Sequence, residues 1–155
     1  MEVDFEQIIL NIRKEAYKHI GSGSGRRVFD LGNGYVVKVA KNRRGIAQNK
    51  AEHQISLTDQ SNIFAKIPHV SEHFKLLIME KAEPIKKISD VWKYYNVDSN
   101  KKLFEQDDLK DIYSKYKLLI PELYRPVNWG KINEIPVIID YGFTRKVKNK
   151  YYSIF

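Results

Sequence analysis

IGSGSGRRVFDLGNGYVVKVAK, residues 20–41, is the stretch whose reading decides the fold. It opens on three alternating glycines, Gly21, Gly23 and Gly25, and then changes to strand chemistry. Val28 and Phe29 lead to Gly32-Asn33-Gly34, a turn signal, and residues 35–40 return as a β-branched run carrying Lys38. A dinucleotide fingerprint would open a helix after its glycines, and residues 28–40 have no helical pattern. A P-loop would place Lys and then Ser or Thr behind its last glycine, where Arg26 and Arg27 stand. Two readings remain. One is a glycine-rich hairpin over phosphates with a phosphate-pairing lysine on the next strand; the other is a Gly/Ser linker ahead of an ordinary hairpin.

The rest of the chain supplies the context. Its 155 residues suit one domain, or two small lobes sharing a cleft. An aromatic content of 12% argues against disorder. No apolar run approaches the roughly 18 residues of a membrane span, and the acidic start MEVDFEQIIL lacks the basic region of a secretory signal. With no cysteine there are no disulfides or thiolate metal sites, which fits a reducing, cytoplasmic setting. The net charge of +8 favours anionic partners without choosing among nucleotides, nucleic acid and membrane surfaces.

Periodicity predicts a first helix over residues 5–18, with Asp4 and Gln7 as a capping box. A second helix is predicted over 46–57, with Ala47, Ala51 and Ile55 as its apolar stripe and Gln48 and Glu52 on the adjacent face. Strands follow at 64–67 and 74–79, the second stopping before Pro84. Beyond it, helical spacing recurs over 85–95 and 109–119, with a loop at 96–102 between them. Short strands are predicted at 127–132 and 137–139, and a basic-aromatic tail, RKVKNKYYSIF, ends the sequence.

Glycine loop, strand lysine, helix glutamate, apolar strand into a hinge, then Asn128 and Asp140-Tyr141-Gly142: in this order the pieces resemble the protein-kinase-like superfamily. The wording GSGSGRRVFDLGNGYVVKVAKN, GIAQNKAEHQI, LLIMEKAEPI, NWG and VIIDYGFT is most similar to small phage and bacterial kinase-like proteins with a truncated C-terminal lobe. The resemblance implies an α+β fold. Residues 1–82 would form an N-terminal lobe with a small antiparallel sheet and a helix, and residues 83–155 a reduced helical C-terminal lobe. It also implies roles. Lys38 would pair the α/β-phosphates of ATP and be held by Glu52. Gly21, Gly23 and Gly25 would bring backbone amides to phosphate, with Val28 beside them, although the third glycine of the pattern falls at Arg26. Glu80 and Ala82 would offer hinge backbone to the adenine edge. Asn128 and Asp140 would hold Mg, a cation that takes hard oxygen ligands. The four histidines show no metal-ligand spacing.

Two departures bear on activity. The pattern places an aspartate base five residues before the asparagine, where Leu123 stands; Glu122, one residue further back, is the nearest carboxylate and the candidate base. Little sequence follows Gly142, where a full-sized kinase builds its peptide platform. The expectation is therefore a minimal kinase-like protein that binds ATP and Mg, with slow or partner-dependent phosphoryl transfer. The alternative is a non-catalytic pseudokinase regulator of phage type that binds a protein partner. Nucleic-acid binding, suggested by Arg26, Arg27, Arg43, Arg44 and the tail, trails both, and no membrane partner is expected.

Overall fold

A computed structural model describes residues 2–152. Asp4 caps α1 (Phe5–Arg13) by accepting from the Gln7 amide at 3.0 Å. The Gln7 side chain bonds Asn11 instead of returning to the cap, so only half of the expected capping box forms. The helix is shorter than predicted because Glu15 takes a left-handed conformation, φ 57°, and the chain turns into β1 (Lys18–Ser22). Gly21 therefore lies in a strand, and the glycine loop proper is the Gly23–Gly25 turn between β1 and β2 (Arg26–Asp30). A second turn, with Gly32 at φ 77° and Gly34 at φ 90°, leads to β3 (Tyr35–Ala40).

The predicted strand at 64–67 does not form. Phe64 makes one bridge to Ile138, while the Lys66 backbone hooks Glu80. The actual partner is β4 (His69–Val70), on the edge beside β5 (Leu76–Glu80). Phe74, expected in that strand, closes a 3-10 turn at positive φ. The first sheet runs β1-β2-β3-β5-β4, antiparallel throughout. Strand alternation gives it two apolar faces. Phe29, Val37, Val39, Leu76 and Ile78 gather with Ile8 of α1. Val36, Leu77 and Met79 face the other way, into a core shared with Val91, Leu103, Trp129 and Ile138 of the second half.

The chain leaves the first sheet at Lys81 and enters a second one two residues later. Here β6 (Glu83–Pro84), β7 (Trp129–Ile132) and β8 (Ile135–Ile138) run antiparallel. Pro84 is tolerated because β6 is an edge strand. Asn133 and Glu134, at φ 51° and 66°, make the two-residue turn between β7 and β8. The helices of this half are fragments: α3 (Ile88–Tyr95), α4 (Asn100–Leu103), overlapping the end of the predicted loop and capped by Ser99, and α5 (Ile112–Tyr116). Left-handed Lys117 ends α5 three residues before its predicted end. Two 3-10 turns, Ile120–Tyr124 and Pro126–Asn128, lead into β7. After β8 come Ile139-Asp140-Tyr141-Gly142, then α6 (Arg145–Val147) and a π turn, Lys148–Tyr152; the last three residues of the tail lie outside the described residues. Among the described residues no helix is long and apolar enough to cross a membrane.

Candidate functional site

The helix that organises the site is α2 (Arg43–Thr58), capped by Asn42. Its buried face is Gly45, Asn49, Glu52 and Ile55; Ala47 and Ala51, expected inside, are only half-buried. Close backbone approach sets this rotation. A methyl group on Gly25 would lie 2.6 Å from Gln48 Oε1 and 2.9 Å from the Gly45 nitrogen, and one on Gly142 would lie 2.6 Å from the Gln48 carbonyl. Glycine at these two places lets the loop and the Asp140-Tyr141-Gly142 turn both seat on α2.

Glu52, fully buried, is the hub of the site. Lys38 Nζ donates to its two carboxylate oxygens at 2.9 and 3.1 Å and to the Ile139 carbonyl at 2.6 Å. The Arg26 guanidinium forks onto the same carboxylate, at 2.6 and 3.0 Å. It also donates to Asn49 Oδ1 and to Asp140 Oδ1, each at 3.0 Å. The Tyr141 amide adds a fifth bond to Glu52, at 2.9 Å. Arg26 reaches this place by strand parity: Val28 pairs with Lys38 across the hairpin, and Arg26, two residues before Val28, lies on the same face.

The charges follow from these distances. Burial alone would raise the Glu52 pKa, but Arg26 and then Lys38 outweigh it and hold the carboxyl near 2. Burial, followed by repulsion from Arg26, lowers the Lys38 pKa despite Glu52. Burial would also lower Arg26, yet Glu52 and Asp140 keep it above its ordinary value. Two cations and two carboxylates thus form a closed network between the sheet, α2 and Asp140.

Asp140 is half-open: its side chain is 46% exposed, and Arg26 holds one of its oxygens. It opens with Gly23, Glu122 and Asn128 on a cleft of about 290 Å³. Asn128 is tied to the loop before it, its Nδ2 donating to the Glu122 carbonyl at 2.7 Å. Glu122 is partly exposed and lies 3.4 Å from Arg125, whereas Leu123 is buried in the core. The remaining predicted residues are less available. The Gly23 amide bonds the Arg26 carbonyl inside the turn, Gly21 is paired with Val28 in the β1–β2 ladder, and the Glu80 amide bonds the Lys66 carbonyl. Ala82 lies against Gly130, where an added methyl would come within 2.6 Å of its Cβ.

Asp140 and Asn128 suit a hard divalent cation: one carboxylate oxygen free of Arg26 and one amide oxygen, on a common cleft. The described residues contain no cluster of three or more acidic or histidine ligands, so a metal here would complete its shell from phosphate and water. The competing charge is Arg26, already in contact with Asp140.

No family model matches the chain, and no curated protein does. Among solved structures, the streptomycin–ATP–APH(2'')-IIa ternary complex aligns at a TM-score of 0.50 and 17% identity, over 92% of this chain and 72% of that one. The fold is protein-kinase-like. The gentamicin–APH(2'')-IIa complex aligns over 92% and 71% of the two chains, at 17% identity and a TM-score of 0.48. Identity this low speaks to the fold alone.

Within this kinase-like fold, sequence reasoning brought Lys38, Glu52, Asn128, Asp140 and Glu122 to one region. It missed Arg26 as a member of the buried network, along with Asn49 and the Tyr141 amide. The signal for Arg26 was present in the parity of β2.

Proposed function

We propose that this is a kinase-like nucleotide-binding protein. It holds ATP with Mg between the glycine turn and the Asn128/Asp140 cleft, and it transfers phosphate slowly. The observation that carries this reading is the Lys38–Glu52 pair, at 2.9 Å, linked through Arg26 to Asp140 at the mouth of the cleft. Lys38 supplies positive charge beside the phosphates, Asn128 and Asp140 offer oxygens to the metal, and Glu122 accepts the acceptor hydroxyl's proton. Mg, when bound, neutralises charge on the transferring group. Slowness follows from two features. Arg26 must yield Asp140 before the metal gains its full carboxylate, and Glu122 sits on a loop one residue longer than the pattern.

Because a ligand that binds only the folded state raises its stability, ATP with Mg is expected to raise the melting temperature. Lys38→Ala and Asp140→Ala are each expected to shrink that rise, measured against their own apo melting points. No rise at millimolar ATP, with or without Mg, would sink the reading.

The Arg26–Asp140 contact also favours the second reading, a non-catalytic kinase-like binding module. A radiolabelled-ATP assay separates the two. Slow labelling that Asp140→Asn abolishes and Glu122→Gln reduces by about 10²-fold or more supports transfer with Glu122 as base. Nucleotide binding with no labelling supports the binding module.

A further inference from the structure

A second concavity lies away from the kinase-like cleft, on the outer side of α2. It is a groove of about 850 Å³ between α2, the α5 end and the segment around α6. We infer that this groove binds single-stranded nucleic acid. Lys50, Lys115, Lys117, Arg145, Lys146 and Lys150 line it, with Arg43 at one end of α2, and not one lining residue is Asp or Glu. None of these cations takes part in an ion pair among the described residues, whose pairs all involve other Lys, Arg and His side chains. On one side of α2 the buried cations are matched by Glu52 and Asp140, whereas in the groove on the other side the positive charges have no carboxylate partner among the described residues.

Charge alone would fit any polyanion, and the lining narrows the choice. Tyr113, 40% exposed, and half-buried Tyr151 present aromatic rings among the cations. Lys117 lies 5.6 Å from the centre of the Tyr113 ring and Lys150 lies 5.3 Å from that of Tyr151, while Arg145 donates to the Tyr113 hydroxyl at 3.0 Å. Rings held beside cations are what a flexible phosphate chain with stackable bases uses: charge follows the backbone and aromatic faces take the bases. Ala47 and Ala51, the stripe that the sequence placed in the core, contribute to the groove and leave it room for flat groups. Past Thr58 and Lys115 the surface changes sign, with Asp59, Asp107, Asp108 and Asp111 lining the next cleft, so a polyanion is stopped at that end.

The test is fluorescence anisotropy of the full chain with a labelled oligothymidylate of about 20 nucleotides, set against a labelled polyglutamate of similar length. The oligonucleotide is expected to bind, with affinity falling about 100-fold between roughly 50 and 200 mM salt if about five phosphates are neutralised. Lys50→Glu with Lys146→Glu, both exposed in the groove, should weaken binding more than about tenfold and flatten the salt dependence. Tyr113→Ala should weaken it about fivefold or more through lost stacking. Lys14→Glu with Lys101→Glu, exposed and outside the groove, is the control for net charge. Unchanged melting temperatures establish that every variant is folded. The inference is overturned if the oligonucleotide does not bind, if the control pair weakens binding as much as the groove pair, or if polyglutamate binds as tightly. The last result would make the groove a site for an acidic protein segment.

Discussion

Glu52→Ala should be the most damaging single substitution in the chain, costing about 3–5 kcal/mol of folding stability in urea titrations. The carboxylate is fully buried and accepts from Lys38, Arg26 and the Tyr141 amide. Without it, Arg26 keeps only half-exposed Asp140 as a carboxylate partner and Lys38 keeps only the Ile139 carbonyl. Desolvated charge that loses its partner is what makes such a change expensive. Glu52→Gln keeps the shape and some of the bonds, so it should cost less and should alter the pH response. Glu52 has a folded pKa near 2 against an ordinary 4.5. The unfolded chain therefore takes up this proton first as pH falls. The stabilisation is complete above about pH 4.5 and is lost as pH falls through about 2. Acid titration of the wild type should show that loss, and Glu52→Gln should flatten it. Equal acid sensitivity in the two proteins would refute the assignment.

Arg26→Ala should have the second largest effect, and its two consequences run in opposite directions. The apo protein should lose about 2 kcal/mol or more, since charged hydrogen bonds to Glu52, Asn49 and Asp140 disappear. The loss is smaller than for Glu52→Ala because Lys38 still neutralises Glu52. Nucleotide with Mg, by contrast, should bind about tenfold more tightly or better, as Asp140 no longer carries a competing guanidinium. Isothermal titration of both proteins with ATP, with Mg and with chelator, reads both predictions at once. If the variant binds no more tightly in Mg, Arg26 is purely structural and the competition argument fails.

Much of the site was legible in the sequence because its parts sit on elements with strong local signals. Lys38 follows a Gly-Asn-Gly turn in a β-branched run, and Asp140 follows an apolar strand into glycine. Glu52 could be placed on a helix but not on its buried face, because Gly45, Asn49 and Glu52 form a polar stripe that apolar periodicity does not detect. What rotates α2 is glycine contact from Gly25 and Gly142, residues 20 and more positions away, and no local pattern encodes that. The same limit explains the strand misplaced at 64–67: Phe64 and Ala65 are buried beside Ile138 and exposed Lys66 bonds Glu80, without any of them joining a ladder. In the second half, the helix predicted over 85–95 begins only at Ile88 but ends at Tyr95 as expected, whereas the one predicted over 109–119 stops at Tyr116, where Lys117 adopts a left-handed conformation. Lys117 does not announce a stop as glycine would.

Trp129 carries one further consequence. Its indole is 1% exposed and donates to the Leu123 carbonyl at 2.8 Å, and the only other tryptophan, Trp92, is on α3. Intrinsic emission excited at the indole band therefore originates wholly from the second half, while the hairpin strands and α2 are dark. The shared core places Trp129 in one cluster with Val36, Leu77 and Met79 of the first sheet. A lesion at Glu52 should then shift the tryptophan unfolding curve as far as it shifts far-ultraviolet circular dichroism. Two spectroscopic transitions that separate would mean that the halves melt as independent bodies.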